Sequence, residues 1–168
     1  MAKVVLYVAM SLDGYISDCN GKVDWLNEQE ENDSYETFIQ DIDTIIMGWN
    51  TYHQIVSELS LDKWIYEDKT TYVITHRKMA SSESIIFTDE DPGNLIKRIK
   101  NQNIWICGGA NLVSQLIQKD LIDIYHLTII PIILGDGIAL FNQSKRLDLK
   151  LADTKRYGNM VEMIYFRK

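Results

Sequence analysis

Short continuous apolar runs alternate along the chain with segments whose apolar residues recur every three or four positions. Residues 3–10 are apolar after Lys3 and rich in Val, the pattern of a strand covered on both faces. "DG" at 13–14 turns the chain, and "YIS" gives a short extension. In "NDSYETFIQDI", Tyr35, Phe38, Ile39 and Ile42 share one helical face, with Asn32 or Asp33 expected as N-cap. "DTIIM" (43–47) predicts a second buried strand, ended by Gly48 and followed by a short helix in "NTYHQIVSEL" that begins near Asn50 or Thr51. "TTYVIT" (70–75) and "SIIF" (84–87) predict strands, and "DPGNLIKRIK" a helix with Leu95, Ile96 and Ile99 on its inner face. In "IWICGGANLVSQLI" (104–117) a buried strand passes through two glycines straight into a helix whose apolar stripe is Leu112, Val113, Leu116 and Ile117.

After Asp120 the pattern changes. "IDIYHLTIIPIIL" predicts a long strand kinked near Pro131, and "LDLKLADTKRY" and "MVEMIYFRK" alternate around "YGN" as a hairpin. Strands alternating with helices, closed by an antiparallel end, imply one α/β domain over residues 1–168 with helices on both faces of the sheet.

Composition narrows the partners. Basic residues number 17 against 24 acidic, a net charge of −7, and no Lys/Arg-rich run offsets it, which argues against nucleic acid or an anionic membrane. The apolar N-terminal run is too short for a membrane span or a secretory signal, and Cys19 and Cys107 have no metal spacing. The expectation is a reduced, cytoplasmic protein.

Ligands of open α/β sheets bind beyond the carboxyl ends of strands. Three such ends carry unusual residues. Gly108-Gly109 precedes a helix N-terminus, whose unpaired N–H groups and partial positive charge suit a phosphate, although a tight turn also explains a glycine pair. "IIMGWNTY" repeats the arrangement with a hydroxyl, while Asn or Thr there can equally be plain caps. His76, Arg77 and Lys78 follow a third strand and offer cationic partners for a further phosphate, or an ordinary solvated loop. His53, His76 and His126 have no zinc-site spacing, so no metal is expected.

Five segments, "MSLDGYI", "DTIIMGWNTY", "YVITHRK", "WICGGANLV" and "IDIYHLTIIPIILGDG", occur in an order that resembles the dihydrofolate reductase-like superfamily. They are most similar to its branch containing the C-terminal reductase domain of bifunctional riboflavin-biosynthesis enzymes. The resemblance implies a three-layer α/β/α fold on a mixed, mostly parallel sheet of about eight strands, NADPH as hydride donor, and a homodimer. It assigns Gly108, Gly109, Ala110, Asn111, Leu112 and Val113 to the cofactor diphosphate and nicotinamide end, and Gly48 and Thr51 to a second phosphate-binding helix start. It places Thr75, His76 and Arg77 around the adenosine 2′-phosphate, and Ala9, Met10 and the loop from Asp13 to Ile16 beside the nicotinamide. Thr128 matches a hydroxyl of the substrate pocket, and Cys107 falls among the substrate-binding positions.

Two departures from the family pattern matter. Trp49 stands where arginine is common; it can stack on adenine but cannot neutralise phosphate, which keeps NADH as an alternative cofactor. Folate reducers carry a carboxylate on the helix after the first loop, and "VDWLNEQEEN" offers Asp24, Glu28 and Glu30 without a clear counterpart. The expected substrate is a small heterocycle such as a ribosylamino-pyrimidine, with Asp13 orienting it, Asp24 or Glu28 relaying a proton, and Trp25 walling the pocket. Dihydrofolate reduction proper, and a non-catalytic dinucleotide-binding or dimeric interaction protein, are the competing readings.

Overall fold

The structure is a computed structural model describing residues 3–26, 33–142 and 145–168. An eight-stranded sheet runs in the order β5-β4-β3-β6-β1-β7-β10-β9. Its strands are β1 (Val4–Ser11), β3 (Thr44–Gly48), β4 (Thr70–Ile74), β5 (Ile85–Thr88), β6 (Ile104–Gly108), β7 (Ile124–Ile130), β9 (Leu149–Tyr157) and β10 (Met160–Arg167). All pairings from β5 across to β7 are parallel, and β7–β10 and β10–β9 are antiparallel. The sheet is thus mixed and mostly parallel, as the resemblance implies. A second, two-stranded sheet pairs β2 (Tyr15–Ser17) with β8 (Ile138–Ala139).

The apolar runs build two cores because the central strands are covered on both faces. Leu6, Ile46 and Ile106 pack with Leu95 and Ile96 of α3 (Pro92–Arg98) and with Leu112, Val113, Leu116 and Ile117 of α4 (Ala110–Gln118). Ile45, Met47, Val73 and Trp105 point the other way. They pack with Tyr35, Phe38 and Ile39 of α1 (Ser34–Gln40) and Trp49 and Tyr52 of α2 (Trp49–Gln54). Each fully buried Leu or Ile contributes about 1.5–3 kcal/mol.

Two local expectations need correction. The strand predicted to kink at Pro131 ends at Ile130, because proline brings no N–H to a ladder and the chain turns with Ile132 N–H donating to Ile130 O (2.8 Å). The second helix begins at Trp49 rather than at Asn50 or Thr51, and Gly48 is its N-cap. It continues as a π-helical stretch over Ile55–Leu59. Asp33 does stand at the N-cap of α1, but its side chain makes no capping hydrogen bond. Asn32, Glu28 and Glu30 lie outside the described residues.

Gly137 lets the chain entering β8 lie close against the end of β2. Its φ is +147°, and a Cβ there would run into the Ser17 carbonyl. Gly137→Ala is expected to cost roughly 2 kcal/mol or more, read as a lowered urea midpoint; an unchanged midpoint would show that this corner yields freely.

Candidate active site

The strands β1 and β6 pair only as far as Leu6↔Ile106, yet β1 continues to Ser11 alongside β7, with Ala9 opposite Thr128. The Tyr7 carbonyl accepts from the Trp105 indole N–H (3.1 Å) instead of from the neighbouring ladder. The two central strands therefore part toward their carboxyl ends, between the Val8–Ser11 stretch and Cys107-Gly108-Gly109.

On the β6 side of this parting, two helix starts converge. Neither α2 nor α4 has a side-chain cap: Gly48 and Gly109 are the N-caps, whereas in α3 Asp91 caps the Asn94 N–H (3.1 Å). A Cβ added to Gly48 would lie 3.8 Å from Gly109 N, and Cβ atoms on Gly108 and Gly109 would lie 3.9 and 3.7 Å from Thr51 Oγ1. Gly48, Thr51, Gly108 and Gly109 thus form one bare-backbone surface with the first-turn N–H groups of two helices beside it. This is a ready anion cradle. The peptide joining Gly108 to Gly109 is cis.

The Trp49 side chain leads from the cradle to the end of β4. The Arg77 guanidinium lies over the Trp49 ring, 4.7 Å from its centroid, and Phe87 flanks the same ring. Thr75 is buried, and its hydroxyl accepts from the Arg77 N–H (3.1 Å), fixing the turn that presents His76 and Arg77. Thr75, His76, Arg77 and Lys78 line an open cavity of about 590 Å³ with Asp89 on its wall. Trp49 cannot itself neutralise a phosphate, but it is the platform on which Arg77 rests, and stacking leaves the guanidinium's edge donors free to bind an anion.

Some expected residues contribute differently. Leu112 and Val113 bury their side chains in the core, and the Val113 N–H already donates to Gly109 O (3.1 Å). The first-turn donors of α4 come from Ala110, Asn111 and Leu112. Met10 packs into the core on the sheet face opposite Ala9 and Thr128, so it does not join them. Cys107 packs against the second core, and burial pushes its thiol up to about 12, which keeps it protonated and unreactive. Asp24 is exposed on the turn Asp24–Leu26 that also carries Trp25.

Asp13, the first choice for orienting substrate, is committed elsewhere. Its carboxylate accepts from Ser11 Oγ (2.6 Å), Leu134 N–H (3.1 Å) and Gly135 N–H (2.8 Å), tying the first loop to the segment after β7. These donors, the Ser11 hydroxyl first, hold its pKa below the usual carboxylate range.

One constellation was missed. Glu162 on β10 is 1% exposed, accepts from Ser34 Oγ, and lies 2.9 Å from His126 Nε2. Tyr7 joins them through Ser34, and burial pushes its phenol up to about 12. The signal was present in "NMVEMIYF": strand alternation puts Glu162 on the same side as Met160, an inward position for a carboxylate.

The chain belongs to the RibD C-terminal domain family, whose pattern it matches over residues 2–163. It is 40% identical to the Bacillus subtilis protein named uncharacterized protein YwjB, over 98% of each chain. Among solved structures it is similar to a Shewanella sp. PV-4 protein proposed to act in riboflavin biosynthesis, with TM-score 0.84 and 26% identity over 100% of this chain and 99% of that one. Dihydrofolate reductase from Enterococcus faecalis, solved with NADP(H), shares the fold at TM-score 0.68 and 13% identity, covering 98% of this chain and 96% of that one. The three-layer architecture is therefore dihydrofolate reductase-like.

The Asp13 clamp makes a pH-dependent contribution to stability. A carboxyl lowered in the folded state stabilises above its unfolded value, about 3.9, and that stabilisation is lost as pH falls through the lowered value. Asp13→Asn is expected to be less stable than the parent at pH 7 and to lose less stability between pH 5 and pH 2. Parallel acid limbs in chemical unfolding would remove the clamp.

Proposed function

We propose that the protein is an NADPH-dependent reductase that transfers a hydride to a small amino-substituted heterocycle, of the type of 5-amino-6-(5-phosphoribosylamino)uracil. The observation that carries this reading is the meeting of two uncapped helix starts on bare glycine, continuous through Trp49 with the Arg77 platform. Membership of the RibD C-terminal domain family and the riboflavin assignment of the Shewanella relative support the substrate class.

The residues present fit a phosphorylated dinucleotide. Gly48, Thr51, Gly108, Gly109 and the Ala110–Leu112 N–H groups would receive the diphosphate, which a Cβ at either glycine corner would crowd. Arg77, with His76 and Lys78, would receive the 2′-phosphate. When bound, the nicotinamide supplies the hydride, and the protein's task is positioning and water exclusion. Ala9 and Thr128 lie opposite each other in register and form a small-residue floor where the strands part. Trp25, on the Asp24–Leu26 turn, would wall the substrate. A homodimer belongs to the same proposal: exposed Leu151, Val161 and Phe166 on the last two strands offer apolar surface for a second copy.

Titration with NADPH and separately with NADH, followed by tryptophan fluorescence, tests this. The parent protein is expected to bind NADPH at least tenfold tighter, the scale of one charge-assisted contact. Arg77→Ala should erase that difference while leaving NADH affinity nearly unchanged. Trp49→Ala should weaken NADPH by a smaller factor, since the guanidinium remains but loses its platform. Failure of both dinucleotides to bind at millimolar concentration would return the glycines to a turn role and favour an interaction protein.

A further inference from the structure

Glu162 is unusual among the described residues because a fully buried carboxyl group is only half satisfied. Its Oε2 is held by Ser34 Oγ and lies 2.9 Å from His126 Nε2, while Oε1 is buried without any hydrogen-bond partner. A buried polar atom left unpaired is costly, more so when it bears charge. A chain keeps such a group where something else completes it.

Its position says where the missing partner comes from. Glu162 is the register partner of Thr128, and Thr128 is the register partner of Ala9, so the three share one face of three adjacent strands. That row lies beyond Leu6↔Ile106, where β1 and β6 have already parted. The groups around it are fixed: His126 from β7, Tyr7 from β1 and Ser34 at the start of α1, with Lys155 as its exposed register partner on β9. Tyr7 is itself held between Phe38 and His126, with ring centroids 4.2 and 4.5 Å away. The carboxyl plane is thus anchored on one oxygen, leaving the other as a preset acceptor.

We infer that Glu162 is the substrate-recognising acceptor of this site: Oε1 takes an N–H donor of an amino-substituted pyrimidine placed over Ala9 and Thr128. The inference rests on the reductase reading above and goes beyond it by naming the residue that selects the substrate class. It moves the recognition carboxylate from the loop positions Asp13, Asp24 and Glu28 to a strand. A rigid strand position holds a recognition group more closely than a loop does.

The test uses 5,6-diaminouracil as probe, titrated by calorimetry into the full chain saturated with NADPH. Glu162→Gln keeps the side-chain shape and Glu162→Met removes all polarity. Both are expected to weaken the probe at least tenfold while NADPH affinity stays within twofold of the parent. Glu162→Met also strips Ser34 Oγ and His126 Nε2 of their partner and is expected to lower the melting temperature, so Glu162→Gln, which keeps an acceptor beside Ser34, is the variant that separates recognition from stability. Unchanged probe affinity in Glu162→Gln, or no probe binding by a parent that binds NADPH, overturns the role of Glu162 and leaves the reductase reading standing. Absence of NADPH binding by the parent overturns both.

Discussion

The site depends on two strand-to-helix corners packed against each other without side chains between them. The pair Gly108-Gly109 raises a question that its two members answer differently. Gly108 has φ +114°, a conformation that an L side chain rarely adopts, so its glycine is required by the turn. Gly109 has φ −81° and ψ −164°, extended backbone open to any residue, and a Cβ there would meet Thr51 Oγ1 only at ordinary contact distance. Its bareness is therefore not dictated by the chain's own geometry. It leaves room beside the N–H groups of α4, and Gly48 does the same for α2. The mechanical reason holds for the first glycine; at the second, the open space is what the proposed diphosphate would use.

This arrangement needs both corners at one level of the sheet, which the parallel β3–β6 ladder secures through Ile46↔Ile106 before shifting register to Met47↔Gly108. The shift carries Gly108 out of the regular pleat and toward Gly48. On the same sheet face the second core is largely aromatic: Trp105 stands edge-on to Phe38 and Tyr66, and Phe38 stacks on Tyr7. Offset and edge-on pairs of this kind contribute about 0.5–1.5 kcal/mol beyond area burial. They also make a stiff wall, so that the polar groups Tyr7, Ser34, His126 and Glu162 are set among rings with little freedom to rearrange.

Most of the architecture was legible in the sequence because buried parallel strands and amphipathic helices have different periods. The α4 stripe of Leu112, Val113, Leu116 and Ile117 is buried as the pattern predicts. The two-residue strand β8 had no readable period, and Pro131 ends a strand rather than bending it. For the site, glycine and hydroxyl positions at strand ends were readable, since they are local features of one corner. Contacts between distant segments were not. That Trp49 carries Arg77, or that Asp13 reaches Leu134 and Gly135, depends on which loops the fold brings together. Glu162 is intermediate: alternation marks it as inward, but only the register with Thr128 shows what it faces.

The proposed polyanionic ligand has to meet a chain of net charge −7. The arrangement of donors resolves this. Charges more than about 8 Å apart are largely screened at physiological ionic strength, so the distant carboxylates matter less than the groups at the cradle. There the chain uses neutral backbone N–H groups at two helix starts, whose partial positive charge acts over the first turn only. The cationic cluster His76 to Lys78 lies at the far end, past Trp49, where on the proposed reading a single extra phosphate would decide between two otherwise equal dinucleotides. On the proposed reading, affinity rests on backbone geometry and discrimination on Arg77, so the two can change independently.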